Sequence, residues 1–298
     1  MIEIHTFKEI VCILHSKVDS AILVIGKEEK FMIGFNTESN TSLLQQIQNK
    51  QESILEKLAS GKRINSAADG AAAQQIIDRL TTQVEGNRQS ISNAFDGVSL
   101  TQVAEGGLAG INEDVNRIRE LSIQSGNGLL TDADRNAIQS EVTQLQENIS
   151  QTIEQTEFAG KSLLSSDSNI DFQVGANAGQ KIAVATQDVA AGLNDILNVD
   201  LSTAQGAEAA LAAADDAAEF VGGARADLGA TQNQFESAAR NLSQTDVNVA
   251  AAKSRIQDTD FAQATSEKAA AGILNQTSLA VQSIANQQQG QVLSLLNG

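Results

Sequence analysis

The chain has 298 residues, 41% of them hydrophobic but only 3% aromatic, with no Trp, Tyr or Pro and a formal net charge of −17. There is enough apolar mass for a core, but it must come from Leu, Ile, Val and Ala in helices that no proline interrupts, which argues against a compact α/β enzyme. The acidic balance excludes a phosphate-binding nucleic-acid surface, and no run of 18 or more apolar residues exists to span a bilayer.

Residues 1–31 differ from the rest of the chain. They hold both histidines, His5 and His15, and the lone Cys12. They carry no cleavable signal pattern, and Met32 opens a stretch of uniform composition, so 1–31 are expected to be a non-family extension from a misassigned start, absent from the mature protein. The alternative is a small appendage with two short strands. From Met32 onward there is no imidazole or thiol, so no catalytic pair, metal site or cofactor site is expected. The many carboxylates are read as solvated helix faces.

The first helical stripe runs through Leu44, Ile47, Ile54 and Leu58 and stops at Gly61, a plausible C-cap. Ser66 to Asp69 has capping-box spacing and predicts a helix start. The stripe resumes at Ile77, Leu80, Val84, Ile91, Phe95 and Val98, continues through Leu108, Ile111, Val115 and Ile118, and ends at Gly126-Asn127-Gly128. Gly106, Gly107 and Gly110 weaken that helix without ending it. Thr131 to Asp134 opens the next helix, which Ile138, Val142, Leu145, Ile149 and Ile153 carry to about Phe158.

Alternation then replaces the helical period. Ile170, Phe172 and Val174, then Ile182 and Val184, flank a five-residue glycine-bracketed turn at 175–179, a β-hairpin signal. Gly175 to Gly179 lacks the lysine and helix of a phosphate loop and reads as a turn. From Leu211 to Ile256 the helical period returns for about 50 residues, ~80 Å at 1.5 Å per residue. The final stretch, 262–298, has only Glu267 and Lys268 as charges. Its stripe of Ala264, Ala271, Leu274, Ser278, Val281, Ala285, Val292 and Leu295 is widened by Ile273, Leu279 and Ile284. One partner helix cannot cover so broad a face, so both chain ends are expected to be buried together in an assembly.

Four motifs in order carry a family resemblance. Leu58-Ala59-Ser60-Gly61-Lys62-Arg63-Ile64-Asn65-Ser66-Ala67, the run Val115 to Ser125, Phe172-Gln173-Val174-Gly175-Ala176-Asn177-Ala178-Gly179 and the run Ala252 to Phe261 resemble bacterial flagellin over residues 32–298. The resemblance implies a mainly α fold: an elongated antiparallel helical bundle or coiled coil formed by the N- and C-terminal arms, with one β-hairpin region near 168–186. It implies 32–75 with 255–298 as inner-core helices, 76–165 with 203–254 as an outer-core bundle, and 166–202 as hairpin and connecting loop, with little or no variable outer domain. Asn286 to Gly290 stands where the family commonly has a proline.

The implied role is that of a secreted, non-enzymatic filament subunit of the bacterial flagellum, a homo-oligomer of many copies. Its partners would be the flagellar export apparatus, a flagellin chaperone, and junction and cap proteins. A host toll-like receptor is a further implied partner, with Arg117, Leu121 and Glu141 as contact residues. The assembly seam is expected at Leu44, Ile47, Ile54, Leu58, Leu274, Val281, Val292 and Leu295. The rival readings are a hook–filament junction protein with the same terminal helices and an intracellular coiled-coil adaptor.

Overall fold

The computed structural model describes residues 41–296, with the side chains of 289, 290 and 292–296 left outside the described set. The expectations for 1–31 and for the side chains of Val292 and Leu295 therefore lie outside the described residues. Helix α1 covers residues 41–60. It is followed by α2 (Ala71–Ser125), α3 (Asp132–Gln155), β1 (Glu157–Phe158), β2 (Lys161–Ser162), β3 (Ser168–Gln173), β4 (Lys181–Thr186), α4 (Val189–Gly192), α5 (Asn194–Leu197), α6 (Ala204–Gln257) and α7 (Phe261–Leu296). The described fold is mainly α-helical, with two small antiparallel sheets.

The described residues divide into two compact units, one of 41–75 with 254–296 and one of Ile76–Lys253. In the second unit, α2 and α6 are antiparallel: Arg88 pairs with Asp246 at 3.3 Å, Arg225 with Glu105 at 2.7 Å and Arg119 with Asp215 at 2.6 Å, so positions fall along α6 as they rise along α2. Helix α3 returns along α2, with Asn148 donating to Asp114 at 2.6 Å and Arg117 paired with Glu141 at 2.7 Å. Leu108, Ile111, Val115 and Ile118 of α2 share one buried apolar core with Val142 and Ile149 of α3. On α6 the buried positions are mostly alanines, Ala210, Ala214, Ala217 and Ala224, which let that helix approach closely at little cost in side-chain entropy.

The hairpin pairs β3 with β4 from Ser168↔Thr186 to Gln173↔Lys181. Val174 N–H then donates to Gln180 O at 2.9 Å, which narrows the loop to the five residues the alternation predicts. Small residues on α2 make room for the hairpin turn, for α6 and for the end of α3. An added Cβ at Gly86 would lie 3.0 Å from Ala176 in the hairpin turn, at Gly97 2.5 Å from Phe235, and at Gly107 2.6 Å from Thr156. Phe235 of α6 meets Phe172 of β3 edge to face, centroids 5.4 Å apart, and Asn93 donates to Gln173 O at 2.9 Å.

Several local expectations need correction. Helix α2 starts at Ala71, not at Ser66: the Asp69 carboxylate accepts from the N–H groups of Asn65 and Ser66 and closes a turn ahead of the helix. Helix α3 ends at Gln155, before Phe158, because a tight hairpin, β1–β2, follows it. Its two turn residues, Ala159 at φ 50 and Gly160 at φ 76, both take the left-handed region that a two-residue hairpin loop requires. Phe95 is 57% exposed rather than on the seam, while Ala94 and Gly97 face inward. The capping box at Thr131 and Asp134 is formed in full.

Candidate assembly surfaces

The first unit is held by a neck between the two motif segments at its centre. Gly61 adopts φ +68, which costs a glycine nothing, and turns the chain out of α1. Its carbonyl accepts from Thr259 N–H at 3.0 Å, Arg63 N–H donates to Gln257 O at 2.6 Å, and Lys62 bridges Asp258 antiparallel. The Arg63 guanidinium donates to Ile256 O at 2.7 Å. The last carbonyls of α6 lack intrahelical partners, and Arg63 supplies both a donor and a positive charge at that negative helix end. The conspicuous Gly-Lys-Arg sequence thus joins the chain's two arms.

Beyond the neck, α1 and α7 pack antiparallel through Gln51, whose side-chain oxygen accepts from Asn275 at 2.9 Å, and through Ile47 and Ile54, both buried. Leu44 and Leu58 are half-buried. On α7 the seam divides. Ala264 and Ala271 are buried and Ser278 and Ala285 half-buried. Leu274 and Val281 stay 54% and 48% exposed, beside exposed Ile273, Leu279 and Ile284. The broad face of α7 is thus divided: its small and polar positions are buried or half-buried, while its large apolar side chains stay about half exposed among the described residues.

In the second unit, Arg117 makes two hydrogen bonds to Glu141 Oε1, at 3.0 and 2.7 Å, and a third to Glu120 at 3.0 Å. These bonds push its already high pKa up further. The cluster is half exposed to solvent. Leu121 is only 2% exposed and belongs to the core, so the expected receptor contact there is corrected: it offers no surface. Asp114, beneath Asn148, has its carboxyl pushed up by desolvation. The carboxyls of Asp69, Asp134 and Asp200 are held down, chiefly by hydrogen bonds from the Ser66 backbone, the Thr131 side chain and the Ser202 backbone respectively.

One anchoring residue escaped sequence reasoning. Arg135 is buried, and its guanidinium donates to the carbonyls of Ser125, Leu130 and Asn127 at 3.1, 3.0 and 3.0 Å. It both caps the C-terminus of α2 and pins the turn into α3. A cation in the first turn of a helix opposes that helix's own dipole, and this misplacement is the signal that could have revealed it. Among the described residues no group of three His, Cys, Asp or Glu is placed to hold a metal, and no helix is long and apolar enough to cross a membrane.

Comparison with known proteins adds the family context. The model for the bacterial flagellin N-terminal helical region matches residues 35–169, and that for the C-terminal helical region matches 211–296. A flagellin of Halalkalibacterium halodurans is 38% identical over 253 residues, covering 83% of this chain and 92% of its own. A flagellin of Bacillus subtilis is 37% identical, covering 81% and 91%. The flagellar filament 30.7 kDa core protein of Treponema maltophilum is 36% identical, covering 82% and 91%. A solved structure of a putative flagellar hook-associated protein from Vibrio parahaemolyticus shares the fold, with TM-score 0.57 over 64% of this chain and all of that one, at 18% identity.

Proposed function

The chain belongs to the bacterial flagellin family and is a structural subunit of the flagellar filament; from that premise we propose that the uncovered face of α7 is where copies meet. The observation that carries this is the row of large apolar side chains, Ile273, Leu274, Val281 and Ile284, each about half exposed along one flank of a helix with two charges. Isolated surface leucines need no explanation, but a contiguous apolar face marks an interaction site. In this reading 32–75 with 255–298 form the inner layer of the tube, 76–165 with 203–254 the outer layer, and 166–202 braces the outer layer. The role is structural rather than catalytic.

Export through the flagellum's own channel is part of the same proposal, as is a chaperone that shields α7 before assembly. Junction and cap proteins would contact the same terminal helices at the ends of the filament. A host toll-like receptor would read the exposed Arg117–Glu141 pair, without Leu121. The junction-protein alternative shares the fold but would make short adaptors; the adaptor alternative would make discrete rods.

Seeded polymerisation followed by electron microscopy tests the reading. Wild-type chain is expected to give long tubes. Leu274→Asp places a carboxylate where it loses hydration without gaining a partner, and a loss of ~3 kcal/mol per contact raises the critical concentration about 100-fold. Normal tube yield from this variant, with the fold intact by circular dichroism, removes α7 from the contact.

A further inference from the structure

We propose that the Leu129 loop of one subunit seats in the groove between Ile91, Phe95 and Val98 of α2 and Ala239 of α6 on the next subunit of the filament. This deepens the filament reading and rests on it. An open filament of identical subunits is built from a heterologous contact, in which two different patches of one chain are complementary. The unit Ile76–Lys253 carries such a pair.

The first patch is a knob. Leu129 is 91% exposed, and the loop that displays it is not loose. The buried Arg135 guanidinium holds the carbonyls on both sides, at Asn127 and Leu130, and Asn127 Oδ1 accepts from Leu129 N–H at 3.1 Å. A leucine presented to water on a pinned loop has already lost the freedom that binding would otherwise cost. The second patch is a groove of about 390 Å³ lined by Ile91, Phe95, Val98 and Ala239, with Glu236, Arg240 and Ser243 at its edge. Phe95 in it is 57% exposed.

Asp132, beside the knob, has a side chain 96% exposed, and Arg240, at the groove, one 70% exposed. Arg240 shares that edge with Glu236, to which it pairs at 3.5 Å, so the rim carries both signs. The exposed guanidinium keeps donors free for Asp132 of the next copy as a second carboxylate partner. Thirty residues of α2 separate Phe95 from the helix end at Ser125, ~45 Å at 1.5 Å per residue, so the loop cannot fill its own groove. A second copy of the same chain carries both halves of the contact.

Cross-linking within filaments tests this. In a Cys12→Ser background, filaments of the Gly128→Cys, Ser243→Cys double variant, which keeps Leu129 and whose added Cβ at 128 meets nothing within 4 Å, treated with a short bismaleimide should give a ladder of covalent multimers on a denaturing gel, while each single variant stays monomeric. Filaments that form but yield only monomer overturn the docking, as do dimers from Gly128→Cys alone, which would mean a symmetric knob-to-knob contact. A parent chain that forms no filaments overturns the filament reading itself, a distinct result. Charge exchange gives a second measurement should the cysteine variant not assemble. Asp132→Lys and Arg240→Glu should each raise the critical concentration, and the two together should recover most of the loss; losses that simply add overturn the pairing.

Discussion

At the scale of single residues, the glycines of α2 separate into two kinds that look alike in sequence. Gly97 faces Phe235, a ring with no exposed surface that is also held by Phe172, so an added Cβ 2.5 Å from its Cζ has nowhere to displace it. Gly110 has nothing within 4 Å of the same position. Gly97→Ala is expected to destabilise the unit, because overpacking costs ~1–3 kcal/mol against a helix-propensity gain of ~1 kcal/mol. Gly110→Ala keeps the gain alone. Thermal melts of the two variants should therefore move in opposite directions; equal upward shifts would mean that the Phe235 contact yields freely.

At the scale of elements, the start of α3 shows how a helix boundary becomes sensitive to acid. The Asp134 carboxylate accepts from the Thr131 hydroxyl and backbone N–H at 2.7 and 2.9 Å, and these bonds hold its pKa down. A carboxyl with a depressed folded pKa contributes stability above its unfolded value, about 3.9, and loses it as pH falls through the folded value. Asp69 and Asp200 have the same sign; Asp114, raised by burial, has the opposite one. Thr131→Ala removes the cap, at a cost of ~1 kcal/mol near neutrality. Its melting temperature should fall below the parent's at pH 7, and the gap should narrow as pH falls through the depressed folded value of Asp134, where that half of the box is lost in both chains. A gap independent of pH would mean that only the Thr131 hydroxyl matters.

At the scale of the whole molecule, charge opposes what the apolar faces favour. Each chain carries a formal −17, and a filament concentrates that charge, whereas the α7 face carries almost none. Repulsion between exposed charges is screened over about 10 Å at 0.1 M salt and about 30 Å at 0.01 M, so low salt lets neighbouring copies repel across the whole contact. The critical concentration for seeded growth, followed by light scattering, should fall as salt rises from about 0.01 to 0.1 M. Growth that weakens over this interval would instead point to ion pairs, such as the one proposed between Asp132 and Arg240, as the dominant contact.

Features that depend on neighbours in sequence were legible from sequence alone. The Thr131–Asp134 box, the stop after Ser125 and the hairpin from 168 to 186 are made by residues at most 18 positions apart, so the local pattern contains the interaction. Four ordered motifs carried the family for the same reason. Choices of face were not legible. Phe95 reads as a seam residue by period, yet the inward positions are Ala94 and Gly97, because Phe235, about 140 residues away, fills the space and needs a partner without a side chain. Helix α7 likewise has small and large apolar stripes side by side, and only the packing of Gln51, Ile47 and Ile54 against the small one leaves Leu274 and Val281 outward. A helix rich in alanine and glycine offers several faces of nearly equal hydrophobicity. The period along the chain establishes that a face exists, but the distant segment that packs on it decides which one is buried.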